Sequence, residues 1–167
     1  MKKTGILYGS STGNTREVAY MIAKSLGVAD NDVHDVADVA PSVLGEYDTL
    51  ILGSATYGSG DLQDDWYDFI AGAEALDLSG KQVALFGCGD DTMDETFCGA
   101  VGELYRRIGR TGVAFIGEGY NTDGYEFSGS AAVVDGRAVG LLLDQINHDS
   151  LTADRVKGWT DIVRLSL

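Results

Sequence analysis

The stretch Gly9-Ser10-Ser11-Thr12-Gly13-Asn14-Thr15 decides how the rest of the chain is arranged. Residues 3–8 before it are short and mostly apolar, which is typical of a buried strand. After it, the apolar residues between 16 and 26 recur at helical spacing. The stretch is therefore a strand-to-helix turn, whose hydroxyl groups and free backbone N–H groups at a helix start favour binding of a phosphate.

The alternative interpretation of this stretch is an ordinary helix cap, in which Thr12 or Asn14 closes the helix start with Glu17 nearby. A cap needs one such residue, whereas this turn holds four hydroxyl residues around one glycine. It matches neither the Walker pattern G-x-x-x-x-G-K-[ST] nor the dinucleotide pattern G-x-G-x-x-G. Because the turn also lacks Lys and Arg, we expect an enclosed site for one terminal phosphate.

Composition limits the class of protein. The 167 residues suit a single domain, 1–167, and the 26 acidic residues against 12 basic ones give a net charge of −14. This charge argues against nucleic acid or an anionic membrane as a partner. Two cysteines make no disulfide framework, and the sequence shows no signal peptide and no apolar run of membrane-spanning length. We therefore expect a cytoplasmic protein.

Strand and helix patterns alternate along the chain. Strands are predicted at 3–9, 31–36, 47–53 and 82–87, with a fifth that begins at 113–116, is interrupted by the Gly-rich residues 118–137 and resumes at 138–143. Helices are predicted at 13–26, 63–73, 95–109 and 152–165. This alternation predicts an α/β fold, a doubly wound parallel sheet with helices on both faces.

Ligands of such sheets bind at the carboxyl ends of the strands, so the loops after the third and fourth strands also matter. The loop at 54–61 carries Tyr57 among small residues, and this ring could stack on a flat ligand or could be an ordinary surface tyrosine. The loop at 88–94 is acidic and would repel a second phosphate. Its backbone could serve a planar heterocycle, or the loop could be a metal-like acidic loop or a solvated turn.

Together the three loops resemble those of the flavodoxins, in particular the long-chain type. The stretch 10–15 is similar to the family's S/T-x-T-G-x-T phosphate loop, Thr56-Tyr57-Gly58 with the segment 60–66 to its second flavin loop, and Gly87-Cys88-Gly89-Asp90 to its third. The stretch 121–127 is similar to the loop that interrupts the fifth strand in long-chain members. The resemblance implies a five-stranded sheet of order 2-1-3-4-5, non-covalent FMN and one-electron transfer between proteins.

The resemblance also implies which residues bind FMN. The 5′-phosphate would be held by Ser10, Ser11, Thr12, Asn14 and Thr15. The complete set of implied contacts is Ser10, Ser11, Thr12, Gly13, Asn14, Thr15, Ala55, Thr56, Tyr57, Gly58, Ser59, Gly60, Cys88, Gly89, Asp90, Met93 and Cys98.

Within that set, Tyr57 would stack on one flavin face and Gly58 would lie beside flavin N5. Asp90 and Cys98 would approach the pyrimidine edge through backbone groups. Long-chain members usually place a tyrosine on the outer face, but here the third loop is one residue shorter and Met93 falls nearest that place. On one-electron reduction we expect the 58–59 peptide to flip to a type II′ turn, and we expect Gly58 to need a positive φ only then.

We therefore predict a low-potential electron carrier, not an enzyme, that acts as a monomer between redox proteins with basic docking faces. Residues 61–95 hold ten acids against one base, Lys81, which favours a docking face over a generally acidic surface. The alternative is an FMN-dependent NAD(P)H–quinone reductase, but no basic group near the loops would receive a 2′-phosphate, and His34 and His148 are expected at the surface. A phospho-accepting signalling domain would need an aspartate at a central strand end, which the ends of the first and third strands lack.

Overall fold

The computed structural model describes residues 3–167. Its strands are β1 (Thr4–Gly9), β2 (Val33–Asp35), β3 (Thr49–Tyr57), β4 (Asp61–Leu62), β5 (Gln82–Cys88), β6 (Ala114–Phe115), β7 (Val133–Val134), β8 (Arg137–Ala138) and β9 (Leu141–Leu143). Its α-helices are α1 (Asn14–Leu26), α2 (Asp65–Glu74), α3 (Gly99–Ile108) and α4 (Thr152–Arg164). Short 3-10 helices lie between them, one of which, Pro41–Glu46, begins at the proline.

The main sheet is parallel and runs in the order β2-β1-β3-β5, with the fifth place shared by β6 and β9. β6 pairs with the start of β5, where Gln82 lies opposite Ala114, and β9 pairs with its end, where Phe86 lies opposite Leu141. The predicted order 2-1-3-4-5 and the interrupted fifth strand are both confirmed. The interruption itself contains the antiparallel β7–β8 hairpin, which the sequence analysis did not predict.

Helices cover both faces of the sheet because successive strand residues point to opposite sides. In β3, Leu50 and Leu52 pack in the cluster that includes Trp66 of α2 and Leu104 of α3. Ile51 between them packs in the cluster with α1 and α4, which includes Trp159. None of the helices within residues 3–167 combines the length and apolar character that crossing a bilayer requires.

Two element boundaries differ from the sequence-based ones by four residues, both beside the predicted loops, and the others differ by three residues or fewer. β3 continues to Tyr57 instead of ending at residue 53, because β4 pairs with its last residues in antiparallel fashion. The helix α3 begins at Gly99 instead of residue 95, since Cys98 adopts a left-handed conformation, with φ +50, that cannot be part of an α-helix. Gly99 lies so close to Gly60 that a Cβ on Gly99 would be 2.9 Å from the Gly60 Cα atom.

Candidate cofactor site

The turn between β1 and α1 leaves its helix start open. Gly13 precedes the helix with φ +96, and no side chain caps α1. Helix geometry therefore leaves the first N–H groups of α1, from Asn14 to Arg16, without intrahelical acceptors. The alternative that Thr12 or Asn14 is simply a cap is wrong, because neither side chain accepts a bond from these groups.

The hydroxyl groups of the same turn fit an acceptor-only ligand. Ser10 Oγ accepts a hydrogen bond from the Gly13 N–H group at 3.1 Å, which leaves the Ser10 proton available. Thr15 is fully buried, and within residues 3–167 its hydroxyl makes no hydrogen bond of normal geometry. It lies beside the Cys88 thiol, and this contact lowers the pKa of that thiol against the larger effect of burial. A buried hydroxyl without a partner is costly, and a bound anion at the helix start would satisfy it.

The second loop is a tight turn from Tyr57 to Gly60, closed by a 3.1 Å hydrogen bond from the Gly60 N–H group to the Tyr57 carbonyl. Gly58, its first central residue, has φ +53, as a type II′ turn requires. The expectation that Gly58 needs a positive φ only after reduction of a flavin is therefore wrong, because the turn has this φ in the structure.

This finding changes what a side chain at Gly58 would do. We expect Gly58→Ala to destabilise the cofactor-free protein by about 1–2 kcal/mol, because a Cβ strains the left-handed conformation. That Cβ would also stand 2.9 Å from Asp61 Oδ2. Chemical denaturation of the two apoproteins measures the loss, and Gly45→Ala is the control, since a Cβ at Gly45 meets no atom within 4 Å. Equal stability of Gly58→Ala and wild type would contradict the strain.

Residues from all three predicted loops line one cavity of about 150 Å³ at the carboxyl end of the sheet. It is lined by Thr12, Asn14, Ala55, Thr56, Tyr57, Cys88, Gly89, Asp90, Gln145 and Ile146. The Tyr57 hydroxyl is buried beside it and has no hydrogen-bond partner among residues 3–167. A larger cavity of about 640 Å³ lies elsewhere, against α3 and Phe115, and contains none of the three loops.

Asp144, which sequence reasoning missed, holds the third loop in place. Its fully buried carboxylate accepts hydrogen bonds from the backbone N–H groups of Asp91, Ile146 and Asn147 and from the Asn147 amide, at 2.8–2.9 Å. Burial by itself would raise the pKa of Asp144, but the N–H donors outweigh burial and hold this pKa below its ordinary value. The Asp144 carboxylate thus connects the loop at 89–91 with the segment 145–146 through hydrogen bonds.

The acidic third loop also places Asp91 and His148 beside Asp144, close enough together to resemble a metal site. However, Asp91 Oδ2 accepts the Glu126 N–H group at 2.8 Å and lies 2.7 Å from His148 Nε2. Donors thus already occupy Asp91 Oδ2 and both carboxylate oxygens of Asp144, and these hydrogen bonds connect the third loop with Glu126 and with the segment at 144–148. His34, the other histidine, contacts the Tyr47 hydroxyl at 2.7 Å.

Of the seventeen predicted positions, eight line this cavity and nine do not: Ser10, Ser11, Gly13, Thr15, Gly58, Ser59, Gly60, Met93 and Cys98. Met93 is 54% exposed at the surface, and Ser59 is exposed in the turn. The Cys98 thiol is buried and points towards the carbonyls of Gly87 and Leu143, so only its backbone is left for the predicted contact. Cys88 does line the cavity, and burial raises the pKa of its thiol to about 12.

Comparison with known proteins agrees with this geometry. The family model described as Flavodoxin matches residues 6–159. The chain belongs to the flavodoxin family. It is 43% identical over 169 residues to Flavodoxin 1 of Salmonella typhimurium, covering 100% of this chain and 96% of that one. It is 44% identical over 161 residues to Flavodoxin 1 of Escherichia coli K12, covering 95% and 91%.

Among solved structures, the Fusobacterium nucleatum flavodoxin bound to flavin mononucleotide superimposes with a TM-score of 0.90 at 28% identity, covering 100% of this chain and 99% of that one. Flavodoxins are electron-transfer proteins without substrate chemistry of their own, so the reductase alternative is not favoured. In this flavodoxin, sequence reasoning missed Gln63, Gln145 and Ile146 as well as Asp144. The signal available for Ile146 was a single apolar residue within the polar stretch 144–150, and the structure shows that it is 66% exposed.

Proposed function

We propose that this flavodoxin binds FMN non-covalently between the three loops and carries single electrons between redox proteins. The observation that carries the proposal is the open start of α1 with the buried, unpartnered Thr15 hydroxyl. A terminal phosphate there would accept bonds from the uncapped N–H groups and the hydroxyls of the turn. The flavin of FMN supplies the one-electron chemistry, and its binding in the F. nucleatum flavodoxin supports the assignment.

The chain's own residues would hold and orient this cofactor. Ser10, Ser11, Thr12, Asn14 and Thr15 are proposed to donate to the phosphate, with Gly13 giving the turn its shape. Tyr57 presents a half-buried ring at the cavity wall and is proposed to lie against the flavin. The remaining wall consists of Ala55, Thr56, Cys88, Gly89, Asp90, Gln145 and Ile146.

The decisive experiment compares FMN with riboflavin, which lacks the phosphate. We expect Thr12→Ala to weaken FMN by about 1 kcal/mol, since Thr12 is exposed and hydrogen bonds to a charged group contribute about 1.5–3 kcal/mol when well enclosed. Riboflavin affinity should stay within experimental error. Titration of both flavins into the apoproteins, followed by fluorescence quenching, measures the effect. If riboflavin weakens as much as FMN, the phosphate does not lie in this turn.

The partners of this electron carrier are redox proteins, and we propose that their basic faces dock on exposed acids that follow the second loop. Asp61, Asp64 and Asp68 are exposed along β4 and the start of α2. Not every acid of residues 61–95 belongs to this surface. Glu74 pairs with Arg107 and Arg110, and Asp91 is internal.

We expect the double variant Asp64→Asn/Asp68→Asn to slow reduction by a basic reductase and to flatten the salt dependence of that rate. Exposed pairs contribute about 0.2–1 kcal/mol each and are screened at physiological ionic strength. Stopped-flow reduction at several salt concentrations measures both effects. The control is Asp30→Asn/Glu46→Gln, which removes the same charge from exposed positions. Asp30 and Glu46 precede β2 and β3, at the end of the sheet where the strands begin. Equal rates for the two double variants would exclude this docking surface.

A further inference from the structure

Gln63 is buried directly behind the phosphate turn, with 2% of its surface exposed. It lies just before α2, and its side-chain amide contacts two residues, Ser11 and Asp65. Nε2 is 3.1 Å from Ser11 Oγ and 2.8 Å from Asp65 Oδ2, while Oε1 accepts the Asp65 N–H group at 3.0 Å. Its backbone N–H group donates to Ser54 Oγ at 3.1 Å, which joins the residue to the end of β3.

These contacts determine which end of the amide faces Ser11. A backbone N–H group can only donate, so the amide atom that meets the Asp65 N–H group must be the oxygen. The Asp65 carboxylate only accepts, so the atom that meets it must be the nitrogen. Both requirements agree, and the nitrogen therefore also faces Ser11 Oγ.

The direction of this hydrogen bond sets the direction of the Ser11 proton. Since Ser11 Oγ accepts from Gln63 Nε2, its own hydrogen is free to be donated. Within residues 3–167, no protein acceptor takes the Ser11 proton, and Ser11 is exposed on the open side of the turn. A phosphate has only acceptor oxygens, so a hydroxyl held in this direction is matched to it.

The close approach of Gln63 also explains the glycine that opens the turn. A Cβ on Gly9 would stand 2.5 Å from Gln63 Oε1 and 2.5 Å from Trp66 Cδ1. The space behind the turn is thus filled by Gln63 and by Trp66, whose indole N–H group donates to the Gly53 carbonyl at 2.9 Å. Gln63 has little freedom to turn its amide away from Ser11.

We propose that Gln63 is a positioning residue that directs the Ser11 hydroxyl proton towards the 5′-phosphate, and so favours FMN over riboflavin. The proposal rests on the proposed function of the turn. Gln63 does not itself touch the phosphate; it acts through Ser11. Its contribution should therefore disappear when the Ser11 hydroxyl is absent.

The test is a double-mutant cycle with Gln63→Met, which keeps the length of the side chain and removes the amide, and Ser11→Ala. We expect Gln63→Met and Ser11→Ala each to weaken FMN by on the order of tenfold while riboflavin changes by less than about twofold. In the Ser11→Ala background, Gln63→Met should have no further effect on FMN. Gln82→Leu is the control. Gln82 accepts a hydrogen bond from the Thr49 hydroxyl at the opposite end of the sheet, where β3 and β5 begin.

Three outcomes would overturn the proposal: a Gln63→Met effect that persists without the Ser11 hydroxyl, an equal loss of riboflavin affinity, or an unchanged FMN affinity in Ser11→Ala. If Gln63→Met does not fold, Gln63→Leu replaces it, since it also removes the donor to Ser11 and adds no charge beside the Asp65 carboxylate. Failure of the proposed function would look different. Wild-type apoprotein would then bind FMN and riboflavin with equal affinity.

Discussion

Replacement of Thr15 by valine is expected to make the cofactor-free protein more stable and, at the same time, to weaken FMN binding. Thr15 is fully buried and its hydroxyl lacks a hydrogen-bond partner within the described chain, so a methyl group of the same shape removes an unsatisfied polar group. We expect the free energy of unfolding of the apoprotein to rise by about 1–2 kcal/mol. The lost donor should lower the FMN affinity by about 1.5–3 kcal/mol, as expected for a bond to a charged group.

Two measurements on the same variant test whether stability rises while FMN affinity falls: urea unfolding of the apoprotein and titration with FMN and riboflavin. Thr160→Val is the matched control. Thr160 is equally buried, but its hydroxyl contacts Ser25 Oγ at 2.6 Å and donates to the Lys157 carbonyl at 3.0 Å. The control should lose stability and keep its FMN affinity. A Thr15→Val apoprotein that is less stable than wild type would mean that the hydroxyl has a partner within the protein.

The strand-to-helix turn at 9–15 and the alternation of strands with helices could be predicted because both depend on neighbouring residues. The composition of the turn at 9–15 and the apolar periodicity after it are local signals, and the alternation of strands with helices restricts the topology. Even the split fifth strand was visible as two apolar runs, 113–116 and 138–143, which contain β6 and β9. The resemblance to flavodoxins supplied the strand order, and the structure agrees with it.

The remaining features of the site depend on residues that are distant in sequence. Asp144 accepts from Asp91, 53 residues away, and Gln63 donates to Ser11, 52 residues away, so neither contact leaves a periodic or spacing signal. The true end of β3 depends on its pairing with β4, and the start of α3 depends on the positive φ of Cys98. Boundaries and supporting side chains are therefore determined by tertiary packing.

Asp144→Asn is expected to cause the largest loss of stability among these variants, about 3 kcal/mol. Each carboxylate oxygen accepts two hydrogen bonds, Oδ1 from the backbone of Ile146 and Asn147, and Oδ2 from the Asp91 backbone and the Asn147 amide. An asparagine offers only one oxygen, so its NH₂ group would face two donors. Buried donors without acceptors cost about 1–3 kcal/mol each, and Asn147 is exposed enough for water to compensate part of the loss.

The same substitution should lower the affinities for FMN and riboflavin by similar factors. It removes the hydrogen bonds that position the lining segments 89–91 and 145–146, and it leaves the turn at 9–15 unchanged. This distinguishes it from Thr15→Val, which should affect FMN alone. The control is Asp149→Asn, which removes an exposed carboxylate from the same segment. Equal unfolding free energies of Asp144→Asn and Asp149→Asn would contradict the role of Asp144 as an anchor.

The pH dependence of unfolding gives an independent check on Asp144. Its pKa is lower in the folded protein than the ordinary aspartate value of about 3.9, so the folded state binds this proton less readily than the unfolded state. The stabilisation is fully present above that ordinary value and is lost as pH falls through the folded pKa. The difference in unfolding free energy between wild type and Asp144→Asn should therefore be constant from pH 7 to about pH 5 and should shrink below about pH 4. A difference that stays constant to lower pH would mean that folding does not lower the pKa of Asp144.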